Sequence, residues 1–341
     1  EGESWWLEPA PSPDNPRLWS PGIKAGRPLQ GGSKRVASQA SGVAPGSFSH
    51  LTEFFGPVLS VLVARDLEQA MAWANATPYG LTAGLHSLDE AEQRAFIDGM
   101  NAGNLYVNRT TTGAIVRRQP FGGRKASCFG PGAKAGGPNY VRQFVEVVDA
   151  GEPGVVEAPL VPMAEHLVAK LGGRHRSTAM RYAATAEAHF FEVHDPSRVR
   201  GQDNVFRYQF HTPILLVAFS DACQEDIERA VLAMVTLGVP FQVCTTGGVD
   251  LASLRAALGP GMIHGGAWDA RFKAASFGRM RAIGTVPASA YEIANQFVAH
   301  IETSPVVEDA RTELQKYVVE QSVSVDFHRY GHLGLRELEG A

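Results

Sequence analysis

VLSVLVARDLEQAMAWANATPYGLTAGLHSLDEAEQRAFIDGMNAGNLYVN, residues 58–108, decides the fold. Residues 58–64 are a nearly continuous apolar run, the pattern of a strand buried on both faces. Asp66 stands at an N-cap position, and Leu67, Ala70, Met71 and Ala74 recur at i, i+3, i+4 and i+7 behind it. Thr77-Pro78 stops that helix, because the residue before a proline is pushed out of the helical region. Residues 81–86 read as a second strand. Ser87 and Glu90 form a capping box for a second helix that ends near Gly99, and residues 104–108 read as a third strand. Strand, helix, strand, helix, strand predicts an α/β fold with a parallel sheet covered by helices.

The stretch that follows, GAIVRRQPFGGRKASCFGPGAKAGGPNY at 113–140, holds seven glycines and three prolines and cannot be one long helix or strand. It leaves the third strand at its carboxyl end, where open parallel sheets place ligands. Residues 130–138 lack the G-x-x-x-x-G-K-[ST] order of a phosphate loop and read as packing beside a site mouth. Arg117, Arg118, Arg124 and Lys125 form a basic cluster, read first as solvated surface.

The flanks are less regular. Residues 1–50 are rich in Pro, Gly and Ser, and 25–41 read as a flexible loop or insertion. Residues 140–148 are strand-like through Val141, Val145 and Val147. Residues 151–160 read as a linker between a region at 1–150 and a second alternating unit at 161–320, with a strand-like tail at 321–341. In that unit Phe206, Tyr208 and Phe210 share one strand face, 214–219 and 241–245 are strands, and Gly238 ends a helix carrying Ile227, Ala230, Val231 and Met234. Ser289 and Glu292 cap another helix. Ser304-Pro305 opens a last one with Val307, Ala310, Leu314 and Tyr317 on its core face.

Composition narrows the function classes. The 341 residues are 44% hydrophobic and 19% charged with net charge −4, which fits a globular chain and gives no footprint for nucleic acid. The longest apolar runs are far too short to span a bilayer. Cys128, Cys223 and Cys244 make no C-x-x-C and no paired framework, so no metal site and no disulfide scaffold is expected. Cys223 and Cys244 read as small buried apolar residues. The first residue is Glu1 and no targeting pattern is visible, so a fragment of a longer chain is expected, cytoplasmic, or of the mitochondrial matrix if eukaryotic.

Glu53-Phe54-Phe55-Gly56-Pro57-Val58 and Pro120-Phe121-Gly122-Gly123, with the elements between them in order, resemble the aldehyde dehydrogenase superfamily. TTGAIVRRQPFGG with GPGAKAGGPNY narrows the resemblance to L-glutamate γ-semialdehyde (1-pyrroline-5-carboxylate) dehydrogenases and to the dehydrogenase part of proline utilization A proteins. DNVFRY and EQSVSVDFHRYGHLG resemble, more loosely, the extra C-terminal domain of the longer proteins of that kind. The resemblance implies a parallel-sheet catalytic half-domain followed by a Rossmann-like α/β domain without an active site of its own. The tail of that domain would cover the dehydrogenase active site.

The resemblance also implies roles. Glu53 would bond the nicotinamide ribose hydroxyls of NAD and Phe55 would pack near its ring, against plainer readings as a strand-start Glu and a core Phe. The backbone N–H groups of Gly113 and Ala114 would anchor the substrate's α-carboxylate, with Phe121 against its aliphatic chain; the plainer readings are a tight turn and core packing. FAD would enter only with an upstream proline dehydrogenase domain. The family's nucleophilic Cys and general-base Glu match nothing here, and Cys128, with no adjacent base, does not replace them. The expected function is the C-terminal part of an NAD-dependent dehydrogenase converting L-glutamate γ-semialdehyde to L-glutamate, inactive alone and a homo-oligomer at full length. The alternative is a non-catalytic lid or oligomerisation module acting with a separate dehydrogenase subunit.

Overall fold

The structure is a computed structural model. It describes residues 11–12, 15–19, 24–25, 38–41, 43–55, 58–128, 130–148, 154, 156–210, 212–274 and 277–327. The chain divides into two compact units, one of residues 1–80 and 87–101, the other of residues 81–86 and 102–341.

In the first unit Ser38–Ser41 pairs antiparallel with Lys24–Ala25 and parallel with Val58–Val61. The ends of the 25–41 segment are therefore strands rather than loop; the residues between them lie outside the described set. Val58–Val61 stands at the edge of this three-stranded sheet, and Leu59 is 58% exposed and Val63 83%. The expectation of a strand buried on both faces is corrected: Leu59 and Val63 fall on the same face by alternation, and both are exposed. Helix Leu67–Ala76 has the expected cap, with Asp66 Oδ1 accepting from Gln69 N at 2.8 Å. Helix Glu90–Gly99 is capped by Asp89 instead of Ser87, because the shorter reach from Asp89 to Ala91 N (2.7 Å) wins the first turn. Ser87 Oγ accepts from Asp89 N and donates to Glu92.

The second unit contains two sheets. A five-stranded parallel sheet runs in the order Ile263–Gly265, Phe241–Thr245, Ile214–Ala218, Arg279–Ile283, His300–Glu302. Numbered along the chain this is 3-2-1-4-5, the Rossmann-like order. Its central strand is fully buried and sorts its side chains by parity. Ile214, Leu216 and Ala218 pack with Ile227, Val231 and Met234 of helix Gln224–Leu237, while Leu215 and Val217 join Met280, Trp268 and Phe272 on the opposite face. Gly238 ends that helix at φ 68°, the left-handed conformation a C-cap glycine supplies.

The other sheet is four-stranded and mixed, in the order Gln202–Gln209, Val319–Asp326, Asn104–Val107, Thr82–Leu85. Val319–Asp326 lies antiparallel to the first of these and parallel to Asn104–Val107, with Ser322 opposite Asn104 and Val325 opposite Val107. The strand-like tail is thus an inner strand as far as Asp326, and residues 328–341 lie outside the described set. This pairing also crosses the 151–160 linker, so strands from the expected 1–150 and 161–341 regions share one sheet.

Three further expectations are corrected. Residues 140–148 are a short 3₁₀ helix, Tyr140–Phe144, followed by irregular chain. Arg142 donates to Gln315 Oε1 and to Thr312 O, which fixes the coiled segment, and no described strand lies alongside to ladder with it. Helix Ala288–Gln296 starts behind Pro287 with no side-chain cap, so Ser289 and Glu292 are interior. The last helix is Ala310–Gln315, capped by Asp309 rather than opened at Ser304-Pro305, although Val307, Ala310, Leu314 and Tyr317 are all buried as read.

Leu216→Ala removes a fully buried side chain and is expected to lower the unfolding free energy of the second unit by about 2–5 kcal/mol. Leu59→Ser, at an exposed edge position, is expected to change stability by less than about 0.5 kcal/mol. Chemical denaturation of the two variants beside the parent chain checks both.

Candidate functional site

The glycine-rich stretch leaves strand Asn104–Val107 and folds back over the sheet end. It comes close enough that a Cβ on Gly103 would stand 1.8 Å from Gly122 O, so only glycine fits there. Gly113 needs glycine for a different reason: its φ is +82° in open space. Residues 115–119 then close a tight turn, with Ile115 O accepting from Arg118 N (3.1 Å) and Gln119 N (2.8 Å). The Gln119 side chain bends back and accepts from Ile115 N at 3.1 Å. Gly113 and Ala114 are exposed, and no described residue accepts from their N–H groups. Two consecutive N–H groups left open beside a left-handed glycine can cradle a carboxylate. Phe121 forms a two-bond bridge with Ala135, and its ring is partly exposed.

Beneath this turn the contacts are buried and polar. Pro120 O accepts from Asn104 Nδ2 at 3.0 Å and from Ser322 Oγ at 2.6 Å. Gln119 Nε2 donates to Asn204 Oδ1 at 2.5 Å, and Ser324 Oγ donates to the same oxygen at 2.9 Å. Lys134 is fully buried, and its Nζ donates to Asn104 Oδ1 (2.9 Å) and Gly122 O (2.6 Å). Glu320 accepts from Lys134 N through one oxygen, and from Asn139 Nδ2 and Gln315 Nε2 through the other. Asn139 Nδ2 also donates to Tyr208 OH, which shares a hydrogen bond with His189 Nε2. Arg279 donates to Pro131 O. Residues from four strands therefore hold the stretch from 119 to 139.

Burial governs the electrostatics. It pushes the Lys134 ammonium down to about 7, with repulsion from Arg124 adding to the shift. It holds His189 down at about 4, which keeps the ring beside Tyr208 OH neutral near pH 7. The Glu320 carboxyl is pushed up by burial against the pull of its hydrogen bonds.

Gly113, Ala114 and Phe121 lie together on this one loop of the second unit. Glu53 and Phe55 belong to the first unit, where both are exposed; Phe55, 98% exposed, is no core residue. Cys128 is half-buried with its thiol pushed up by burial despite Arg279, Lys134 and Arg124 nearby, the opposite of an activated nucleophile. Cys244 is buried as expected, but Cys223 is exposed at the start of helix Gln224–Leu237, which corrects its reading as a core residue. The basic cluster is corrected at Arg124, which is buried and pushed down to about 9 by that burial. Among the described residues no group of His, Cys, Asp and Glu could hold a metal. Sequence reasoning missed Asn104, Gln119, Lys134, Asn204 and Glu320. Asn104, Asn204 and Glu320 are inward polar residues on strands, whereas Gln119 and Lys134 sit on the glycine-rich loop and carry no periodic signal.

Residues 40–149 match the family model described as "Aldehyde dehydrogenase family". The chain is 40% identical to a bifunctional protein PutA of Rhizobium meliloti over 176 residues, half of this chain and 14% of that protein. It is 46% identical to a 1-pyrroline-5-carboxylate dehydrogenase of Bacillus subtilis over 89 residues, 26% of this chain and 17% of that protein. A solved structure of proline utilization A from Corynebacterium freiburgense superposes with a TM-score of 0.69 at 34% identity, covering 96% of this chain and 30% of the other. The chain therefore spans less than a third of the length of each of these relatives.

The Lys134 shift carries a sign. Its folded value of about 7 lies below the ordinary 10.5, so between those two pH values the unfolded chain binds the extra proton and folding releases it. Stability contributed by this group therefore rises as pH increases from 7 toward 10. Lys134→Met is expected to flatten the rise, measured by denaturant midpoints at pH 7 and pH 9 for both proteins.

Proposed function

We propose, taking residues 40–149 as an aldehyde dehydrogenase family segment, that the chain is the C-terminal part of an NAD-dependent dehydrogenase. The whole enzyme oxidises L-glutamate γ-semialdehyde to L-glutamate in proline catabolism. The observation that carries this reading is the open N–H pair of Gly113 and Ala114, on a loop that also bears Phe121. A substrate with an α-carboxylate and a short aliphatic chain needs such an anchor and such an apolar contact. The names of the similar proteins, PutA and 1-pyrroline-5-carboxylate dehydrogenase, support the same substrate class.

The residues present fit NAD at two points. Glu53 is exposed with no partner among the described residues, free to accept from vicinal ribose hydroxyls, and Phe55 offers a fully open apolar ring. NAD supplies the hydride acceptor when bound. What this chain contributes is orientation: Glu53 and Phe55 toward the nicotinamide riboside, Gly113 and Ala114 toward the carboxylate. The covalent step is not assigned to Cys128 or Cys244, since burial raises both thiols. The fuller protein is read as a cytoplasmic homo-oligomer. No described helix is long and apolar enough to cross a membrane.

One observation favours a second reading, an interaction module for a separate dehydrogenase subunit. Val141, Phe144, Val145 and Val148 are all exposed within eight residues, more apolar surface than a short loop ordinarily shows.

The purified chain is expected to reduce no NAD in the presence of the semialdehyde. L-Glutamate is expected to shift the amide resonances of Gly113 and Ala114 saturably, while putrescine, which lacks a carboxylate, leaves them in place. Turnover by the chain alone, or equal response to both ligands, would overturn the reading.

A further inference from the structure

Asn204 is fully buried on strand Gln202–Gln209, far along the sequence from the loop. Its amide is used completely. Oδ1 accepts from Gln119 Nε2 (2.5 Å) and Ser324 Oγ (2.9 Å). Nδ2 donates to Ser197 Oγ (3.1 Å) and Gln202 Oε1 (2.9 Å). The backbone N of Asn204 donates to Asp195 Oδ2 at 2.9 Å, so the residue is fixed from both ends.

Gln119 is the hinge of the arrangement. It is 1% exposed, and its two amide atoms face different partners: Nε2 meets Asn204, and Oε1 receives Ile115 N–H. An amide that donates in one direction must present its oxygen in the other. Asn204 thereby decides which atom of Gln119 looks toward the turn. With the oxygen facing Ile115, the third N–H of the 113–115 run is bound, and the Gly113 and Ala114 N–H groups are left open. A reversed or unanchored Gln119 would bring an NH₂ group against Ile115 N–H and release the turn.

We propose that Asn204 is a positioning residue for carboxylate binding: acting through Gln119, it holds the Ile115 N–H and thereby sets the Gly113–Ala114 cradle. The inference rests on the carboxylate reading of that cradle given above. It gives a residue of the chain's later half a defined part in substrate recognition without contact to substrate.

Three variants of the 341-residue chain test it. Asn204→Asp keeps an acceptor for Gln119 and Ser324, whereas Asn204→Leu keeps none. Gln119→Met is near-isosteric and removes both of the relay's bonds if Asn204→Leu fails to fold. The readouts are amide hydrogen exchange at Ile115 and the L-glutamate titration of the Gly113 and Ala114 resonances. Ile115 protection and glutamate affinity are expected to fall about tenfold in Asn204→Leu and Gln119→Met, the scale of one net hydrogen bond. Asn204→Asp is expected to stay within about threefold of the parent, although it loses both Nδ2 donations and is destabilised. A residue needed only for stability would make Asn204→Asp as defective as Asn204→Leu, and that result overturns the proposal, as does unchanged Ile115 protection in Gln119→Met. A parent chain that ignores glutamate while Ile115 protection follows the expected pattern overturns the substrate reading and supports the relay.

Discussion

Glu320, Gln321, Ser322 and Ser324 are buried polar side chains on one inner strand, and each has to find a hydrogen bond inside the protein. That requirement shapes the second unit. The strand has Gln202–Gln209 along its whole length on one side and Asn104–Val107 against Ser322–Val325 on the other, so its backbone bonds are taken up in the sheet. The side chains turn to what lies across the sheet end. Ser322 takes Pro120 O, Ser324 takes Asn204, Gln321 takes Ala102 O, and Glu320 takes Lys134 N and Asn139. A loop with seven glycines has too few side chains of its own to fix its course. Here the sheet supplies the fixing groups.

The same constraint explains why a lysine can be buried below the loop. Lys134 Nζ is surrounded by oxygens of Asn104 and Gly122, and Glu320 offsets part of its charge. Removing water from an ammonium is costly, which is why its proton is held so loosely. The arrangement survives because both acceptors belong to rigid parts, a strand residue and a glycine wedged against Gly103. Loop and strand hold each other: without the loop the Ser322 hydroxyl loses Pro120 O and Glu320 loses Lys134 N and Asn139, and the loop would lack a defined path without the strand.

Parts of this were legible in the sequence for direct physical reasons. The apolar run at 214–218 is a central parallel strand because both of its faces are buried, and Gly238 and Asp66 mark helix ends because only certain residues satisfy a terminus. Gly113, Ala114 and Phe121 stood out through a motif. Asn204 and Glu320 did not, because an inward polar residue on a strand looks like a solvent-facing one until its register is known, and Gln119 did not, because a polar residue in a loop looks solvated until its partner is known. The 140–148 segment was misread for a related reason: β-branched residues favour a strand only when a neighbouring strand is there to pair with, and Arg142 anchors this one as a coil. Residues 321–341 read as a strand-like tail, and nothing local announced that the observed strand Val319–Asp326 lies between two partners from opposite ends of the sequence.

The two units close on themselves to different degrees, and this bears on what each can do alone. In the first, helix Leu67–Ala76 has no buried residue, and Phe55, Val63 and Leu88 are almost wholly exposed. In the second, a five-residue strand is buried without remainder and two apolar clusters fill the faces of its sheet. Every atom of the relay from Asn204 through Gln119 to Ile115 belongs to the second unit. The carboxylate cradle proposed at Gly113 and Ala114 therefore rests on contacts internal to the better-packed body, while Glu53 and Phe55 belong to the sparser one. If Glu53 and Phe55 hold the dinucleotide and Gly113 and Ala114 the carboxylate, as proposed, a perturbation that melts the first unit should abolish dinucleotide binding before carboxylate binding, because the hydrogen bonds from Asn204 through Gln119 to Ile115 lose no partner when that unit opens.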